Sequence, residues 1–249
     1  MHTRWFRFLG MNIKGTPSMR QSKVEHDLDI AKAKADVLVV QEFRWPWYFS
    51  AAKKVMSSAE IAWGTSPGVN HGYVRPVAGA QGVMWLRERF KRLRTRHALA
   101  HAGVAGVSES RFLRACLLRD RETGIKGWFG TTHFVVGGDE FTDSNRRKAI
   151  MAGDLIALDK FLTGLKRGGH PILFQLDANI HKGSWAYAEF MRILRKHGAT
   201  VHGEHGVEYL FTINGRKAQV EVRNDWIIPT SRLETDHEGR GITARFVRN

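Results

Sequence analysis

The sequence predicts an α/β fold, and three observations carry that prediction. First, Trp5–Met11 and Val37–Gln41 are apolar runs of strand length. They flank Met19–Ala35, where Val24, Leu28, Ala31 and Ala35 recur at helical spacing. Strand, helix and strand with short connections mark alternating architecture. Second, Ser144–Arg167 carries Ile150, Leu155, Leu158, Leu162 and Leu165 at helical spacing and leads through a Gly-Gly-His-Pro turn into the apolar run Ile172–Leu176. Third, Glu208–Ile213, Ala218–Ile228 and Gly241–Val247 make the C-terminal part β-rich.

Taken in order, the first strand runs into Asn12 and a loop holding Gly15 and Pro17, and Asp36 stops the helix that follows. Val37–Gln41 reads as a buried strand ending at Glu42, and Phe43–Tyr48 as an aromatic, basic loop. Ala51–Trp63 is expected to be helical, Gly64–Gly79 a Gly/Pro-rich loop, and Gly82–Leu86 with the Arg-rich segment to Leu99 a hairpin. Between Arg87 and Arg96 the basic residues recur with period 2, as on a solvated strand face or a guarded sheet edge. Arg111–Arg119 and Gly127–Thr132 form paired strands around a turn at Arg121–Gly124, the second running into His133. Ser144 is the expected N-cap of the long helix and Gly168 its stop. Ser184–His197 is a further helix, with Trp185, Ala188, Met191 and Leu194 on one face and Gly198 ending it.

The chain has 249 residues, 43% of them hydrophobic, with 8 Trp and 14 Phe, which suits a globular domain with a substantial core. No repeat, low-complexity tract or linker divides it, so one domain spanning residues 1–249 is expected. Lys and Arg number 39 against 24 acids, a net charge of +15 that points to a polyanionic partner, above all nucleic acid. The single cysteine, Cys116, excludes an internal disulfide framework and a cysteine zinc site. With no signal-peptide pattern and no apolar run of membrane-spanning length, a cytoplasmic protein is expected, without membrane or obligate protein partner and monomeric.

Polar residues stand where apolar runs end or are interrupted: Asn12, Glu42, His133, Asp177 with Asn179, Asp225, and Asp236 with His237. Residues i and i+2 of a strand share a face, so Asp177 and Asn179 are expected to point together. A carboxylate beside an amide suits a water to be deprotonated and an oxyanion to be held.

The order and context of these residues resemble the endonuclease/exonuclease/phosphatase superfamily. Met11-Asn12-Ile13-Lys14-Gly15 is similar to its opening Asn-x-x-Gly block, and Val37–Glu42 to its apolar strand ending in Gln-Glu. Thr131-Thr132-His133-Phe134 resembles its Thr-His-Leu strand, and Leu176-Asp177-Ala178-Asn179 its Gly-Asp-Phe-Asn block. Asn224-Asp225-Trp226-Ile227-Ile228 resembles its Ile-Asp-Tyr-Ile block, and Thr235-Asp236-His237 its Ser-Asp-His ending. The blocks span residues 12–237, nearly the whole chain.

The resemblance implies a four-layer α/β sandwich, two mixed β-sheets packed face to face with flanking helices, and hydrolysis of phosphoesters with a divalent metal. Glu42 would be the principal ligand of Mg²⁺ or Mn²⁺, aided by Asp236 and Asn12. Asp177 would activate the attacking water, and Asn179 would position it or the phosphate. His237 would contact the phosphoryl oxygens while Asp225 holds its ring, and His133 would be a second imidazole at the phosphate. In relatives that use the strand histidine, a glutamate from an earlier loop pairs with it. No acid occurs here between Glu60 and Glu88, so His133 is expected to lack that partner. Gln175-Leu176 departs from the small residue usual before the aspartate. Arg114 resembles an arginine of the strand before the histidine strand, with Arg111 competing for the match.

Other substrate contacts are read from position alone. Trp45 and Trp47, beside Glu42, either stack unpaired bases or pack the core. Arg146 and Arg147 either clamp phosphates or form a solvated helix face, and His181, His202 and His205 read as surface residues. The leading function is a nuclease acting on DNA or RNA. A phosphodiesterase or phosphatase of small molecules or lipids would use the same residues. A protein that binds nucleic acid without cutting it is disfavoured, because each core catalytic position holds a competent residue.

Overall fold

The computed structural model describes residues 4–13, 19–43, 46–55, 59–63, 81–139 and 145–249. The chain begins with β1 (Phe6–Asn12), α1 (Gln21–Lys34) and β2 (Val37–Gln41). Asp36 sits between helix and strand, where its Oδ2 accepts from the Arg7 main-chain N–H at 2.7 Å and so ties the start of β2 to β1. α2 (Pro46–Val55), β3 (Ala59–Trp63), β4 (Gly82–Leu86), β5 (Phe90–His101), β6 (Arg111–Asp120) and β7 (Lys126–His133) follow. Then come α3 (Asn145–Lys166), β8 (Ile172–Asp177) and α4 (Trp185–His197). The chain closes with β9 (Ala199–His205), β10 (Glu208–Ile213), β11 (Ala218–Ile228) and β12 (Gly239–Arg248).

These strands form two six-stranded mixed sheets, ordered β11-β12-β1-β2-β4-β3 and β5-β6-β7-β8-β10-β9. Period-2 alternation sorts their side chains into separate cores. In β1, Phe6 and Phe8 enter the core between the sheets with Phe129, Leu173 and Phe246, whereas Leu9 and Met11 face Leu28, Ala31 and Ala51 of the outer helices. The outer face of the second sheet packs Phe174 and Leu176 against Leu158, Leu162 and Phe190 of α3 and α4. Helix, sheet, sheet and helix make the expected four-layer sandwich. Every residue of β2 and β8 is buried, which explains why both read as mainly apolar runs rather than alternating ones.

Local chemistry fixes the ends of α4. Ser184 Oγ accepts from the Tyr187 N–H at 3.1 Å, and Gly198 takes the left-handed conformation (φ 68°) that ends the helix. The expected N-cap of α3, Ser144, lies outside the described residues. Among the described residues no helix is long and apolar enough to cross a membrane.

Four local expectations change. Phe43–Tyr48 is not all loop, since α2 begins at Pro46. The helix expected over Ala51–Trp63 ends at Val55, and Ala59–Trp63 is a strand paired to β4, a case of tertiary pairing overriding local composition. β4 and β5 are not a hairpin, because they belong to different sheets. Between them Arg89 is buried and donates to both the Arg4 carbonyl and Asp120 Oδ2, each at 3.0 Å, making a corner that joins the two sheets. β9 carried no strand signal, because its inward face holds only Ala199 and Val201, set between polar Thr200 and His202. The basic strand β5 does lie at a sheet edge, as its period-2 charge suggested.

One contact between the sheets gives a stability prediction. A Cβ on Gly10 would sit 2.2 Å from Gln175 Cδ, so the glycine makes room for a side chain crossing from the other sheet. Gly10→Ala is expected to cost about 1–3 kcal/mol by overpacking. The check is a lower urea midpoint at unchanged slope, and an unchanged midpoint would mean that Gln175 swings aside freely.

Candidate active site

Parallel pairing brings the functional strand ends to one edge of the sandwich. In the second sheet β7 and β8 run parallel with His133 opposite Asp177, and antiparallel β10 places Glu208 opposite Asp177 on its other side. His133, Asp177 and Glu208 therefore form one row, and all are buried. In the first sheet, parallel β1 and β2 set Asn12 opposite Gln41, with Glu42 next in the chain.

Three buried amides and a threonine hold the sheets in register below this row. Gln41 Nε2 donates to Thr131 Oγ1 at 2.5 Å and to the side-chain oxygen of Gln175. The polar residue that replaces the usual small one before Asp177 thus belongs to a bridge between the sheets. Asn12 Nδ2 donates to Asp177 Oδ2 at 2.8 Å, a direct link between these ends of the two sheets. Thr235 Oγ1 donates to the Asn12 carbonyl at 2.8 Å and anchors the segment carrying Asp236 and His237.

The ionisable groups surround Asp177. His237 Nδ1 lies 2.9 Å from Glu208 Oε1 and 3.9 Å from Asp177 Oδ2, and its Nε2 is 3.7 Å from Asp236 Oδ1. His133 stands between two carboxylates, 3.6 Å from Glu42 Oε1 and 3.7 Å from Asp177 Oδ2. Burial pushes the Asp177 carboxyl up to about 6; the Glu208 charge adds to the push, while His237 and the Asn12 bond oppose it. Burial works against the charged form of His237. Its bond to Glu208 and the charges of Asp177, Glu208 and Asp236 overcome that and raise it to about 9. Near neutral pH the site therefore pairs an ionised Asp177 with a cationic His237.

Asn12 and Glu42 suit a hard divalent ion. The Asn12 Oδ1 is buried and has no hydrogen-bond partner among the described residues, and Glu42 follows the residue paired with Asn12. Among the described residues no group of three or more His, Cys, Asp or Glu side chains is placed to hold a metal. One carboxylate and one amide fit an ion that keeps most of its waters, as Mg²⁺ does, better than a closed site of nitrogen and sulfur ligands. Asp236, with its side chain 56% exposed, is directed toward His237.

The structure corrects several expected roles. Asp225 does not hold His237. Trp226–Ile228 remain in the ladder with β12, so Asp225 stops short of the strand end, exposed and opposite Ile242. Glu208 holds the imidazole instead, and the sequence signal for it was weak: a lone acid opening an apolar strand. Asn179 lies beyond β8 with a left-handed φ of 51°, so strand alternation does not aim it with Asp177. Its N–H donates to Asp177 Oδ1 at 3.2 Å and its Nδ2 to the Phe134 carbonyl at 3.1 Å. His133 is flanked by Glu42, so its carboxylate neighbour comes from the end of β2.

Trp47 donates its indole N–H to the Met19 carbonyl at 3.0 Å and packs with the core beneath α1, so it is a packing residue. Trp45 lies outside the described residues. Arg146 and Arg147 start α3, where the Arg147 carbonyl lies close to Gly138 on the loop leaving β7. Arg114 pairs with Thr131 and is buried at the inner end of β6, and loss of hydration lowers its guanidinium to about 10.

No protein-family model matches the sequence, and no curated protein matches it significantly. Solved structures do match. An endonuclease/exonuclease/phosphatase from Bacteroides vulgatus aligns with TM-score 0.73 at 13% identity, over 98% of this chain and 100% of that one. D. rerio TDP2 complexed with single strand DNA product aligns with TM-score 0.72 at 16% identity, over 97% of this chain and 99% of that one. A mannosyl-6-phosphatase of Bacteroides thetaiotaomicron aligns with TM-score 0.70 at 11% identity, over 97% and 99%. Both sheets, their flanking helices and nearly the full length of the chain are shared, so this protein has the fold of the endonuclease/exonuclease/phosphatase proteins.

Proposed function

We propose that the protein is a divalent-metal-dependent phosphodiesterase acting on nucleic acid. The observation that carries the reading is the buried Asp177, bonded to Asn12 and flanked by His133 and by a cationic His237. A carboxylate ionising near 6 is a competent base at neutral pH, and an imidazolium next to it suits the negative charge of a phosphoryl group.

Asp177, its orientation fixed by Asn12 and by the Asn179 N–H, takes the proton of the attacking water. His237, its Nδ1 held by Glu208, presents Nε2 to a phosphoryl oxygen. His133 lies on the other side of Asp177 and contacts the phosphate from there. Glu42 and Asn12 would hold the divalent ion, which supplies charge stabilisation at the phosphoryl and leaving oxygens. Arg114 adds a buried cation opposite Thr131, two residues before His133 on β7.

The net charge of +15 and the match to a protein complexed with single strand DNA support nucleic acid as the substrate. The match to a mannosyl-6-phosphatase favours a second reading, a phosphatase of a small sugar phosphate. Supercoiled plasmid, single-stranded DNA, RNA and inositol and sugar phosphates, each with Mg²⁺ and with chelator, separate the two. Turnover of nucleic acid that chelator abolishes is expected. Glu42→Ala should raise the Mg²⁺ concentration for half-activity by more than about tenfold, the lower figure for outer-shell changes at metal sites, with recovery at high metal. Full activity in excess chelator would overturn the metal, and fast turnover of a sugar phosphate alone would overturn the substrate.

A further inference from the structure

Another imidazole–carboxylate pair stands outside the machinery described above: Asp139 with His181, the histidine on the segment that follows Asp177. Asp139, on the loop leaving β7, is fully buried. Its Oδ2 accepts from the His181 main-chain N–H at 2.5 Å and lies 3.0 Å from His181 Nδ1. The His181 side chain itself is 60% exposed. A buried carboxylate is thus committed to one surface histidine, fixing its ring with Nδ1 inward and Nε2 toward solvent.

We propose that this dyad is a subsite for a phosphate group flanking the scissile one. The inference rests on the nucleic-acid reading above and names a contact that the catalytic row does not provide. Three features support it. His181 follows Asn179 by two residues and Asp177 by four, so the chain limits its distance from the base to about 14 Å. That places it one or a few phosphates along a bound strand. Two cations lie on the neighbouring segments: Lys182 is exposed next to it in the chain, and Lys148 of α3 lies over the ring of Trp185, which starts the helix after the His181 loop, at 5.6 Å. The chemistry also fits. With both ring nitrogens carrying hydrogen, Nδ1 donates to Asp139 and Nε2 can donate to a phosphate oxygen.

A dyad that only pins the loop is distinguishable from this. The main-chain bond to Asp139 survives in His181→Ala, so the loop keeps its anchor while the ring is lost. The experiment compares wild type and His181→Ala on single-stranded oligonucleotides and on bis(p-nitrophenyl) phosphate, a diester with no flanking phosphate. His181→Ala should raise KM on oligonucleotides about 10-fold or more, the scale of one hydrogen bond to a charged group, with kcat within about twofold. Both constants on bis(p-nitrophenyl) phosphate should be unchanged. Replacing flanking phosphates one at a time by neutral methylphosphonates should erase the difference at one position.

An equal loss on both substrates would show that His181 acts only by shaping the Asp177 loop, and would overturn the subsite. So would an oligonucleotide KM indistinguishable from wild type. If wild type hydrolyses bis(p-nitrophenyl) phosphate but no oligonucleotide, the nucleic-acid reading fails and takes the subsite with it. Oligonucleotide cleavage insensitive to the variant removes the subsite alone.

Discussion

Asp177→Asn is expected to lower kcat by about 10²- to 10⁴-fold, the range for loss of a general base, with substrate binding held or tightened. The substitution keeps the shape of the side chain, and its oxygen can still accept from Asn12 Nδ2, so the join between the sheets persists. It removes the proton acceptor and takes a negative charge away from a site meant for a phosphate. The pH dependence gives a second check. Burial raises the Asp177 carboxyl to about 6, so the charged form is lost as pH falls through that value. Wild-type kcat should rise with a limb near pH 6, and whatever activity Asp177→Asn keeps should lack that limb. The measurement is single-turnover cleavage from pH 5 to 10. A kcat within tenfold of wild type, or a limb that survives the substitution, would remove Asp177 as the base.

The parts of the fold that could be read in advance are those in which burial dictates composition. β2 and β8 are buried along their whole length, so their sequences are apolar but for the bridging Gln41 and Gln175 and stop abruptly where the site begins. Asn12, Glu42, His133 and Asp177 are legible for that reason: each ends or follows a buried strand. Segments whose conformation depends on distant partners were not legible. β3 is a strand because β4 is beside it, and β5 leaves the sheet of β4 because Arg89 turns the chain toward Asp120.

The assignment of Asp225 failed for a related reason. A local block of sequence says which residues are neighbours along the chain, and His237 needed a neighbour across the sheet. Glu208 reaches the site because β10 is antiparallel to β8, and it faces Asp177 only in that register. Asn179 shows the same limit, since one left-handed residue after the strand cancels the alternation that would have aimed it.

His237 and Glu208 are expected to behave as one unit. His237→Ala should lower kcat/KM by about 10²-fold or more, the cost of a preorganised charge at the phosphoryl group. Glu208→Gln should act through the imidazole. The bond and charge of Glu208 are leading reasons that His237 stands near 9 despite burial, which pulls the other way. A histidine raised in this way keeps its charge as pH rises until it passes through the raised value. Activity that needs the imidazolium should therefore hold to about pH 9 in the wild type and fall above it. In Glu208→Gln that falling limb should move to lower pH. The double variant should be no worse than His237→Ala alone, because the glutamate has nothing left to hold. Asp225→Asn, on an exposed stretch of β11, should leave the limb in place. The measurement is kcat/KM across pH for the four variants. Additive losses in the double variant, or a limb moved by Asp225→Asn and not by Glu208→Gln, would return the orienting role to Asp225.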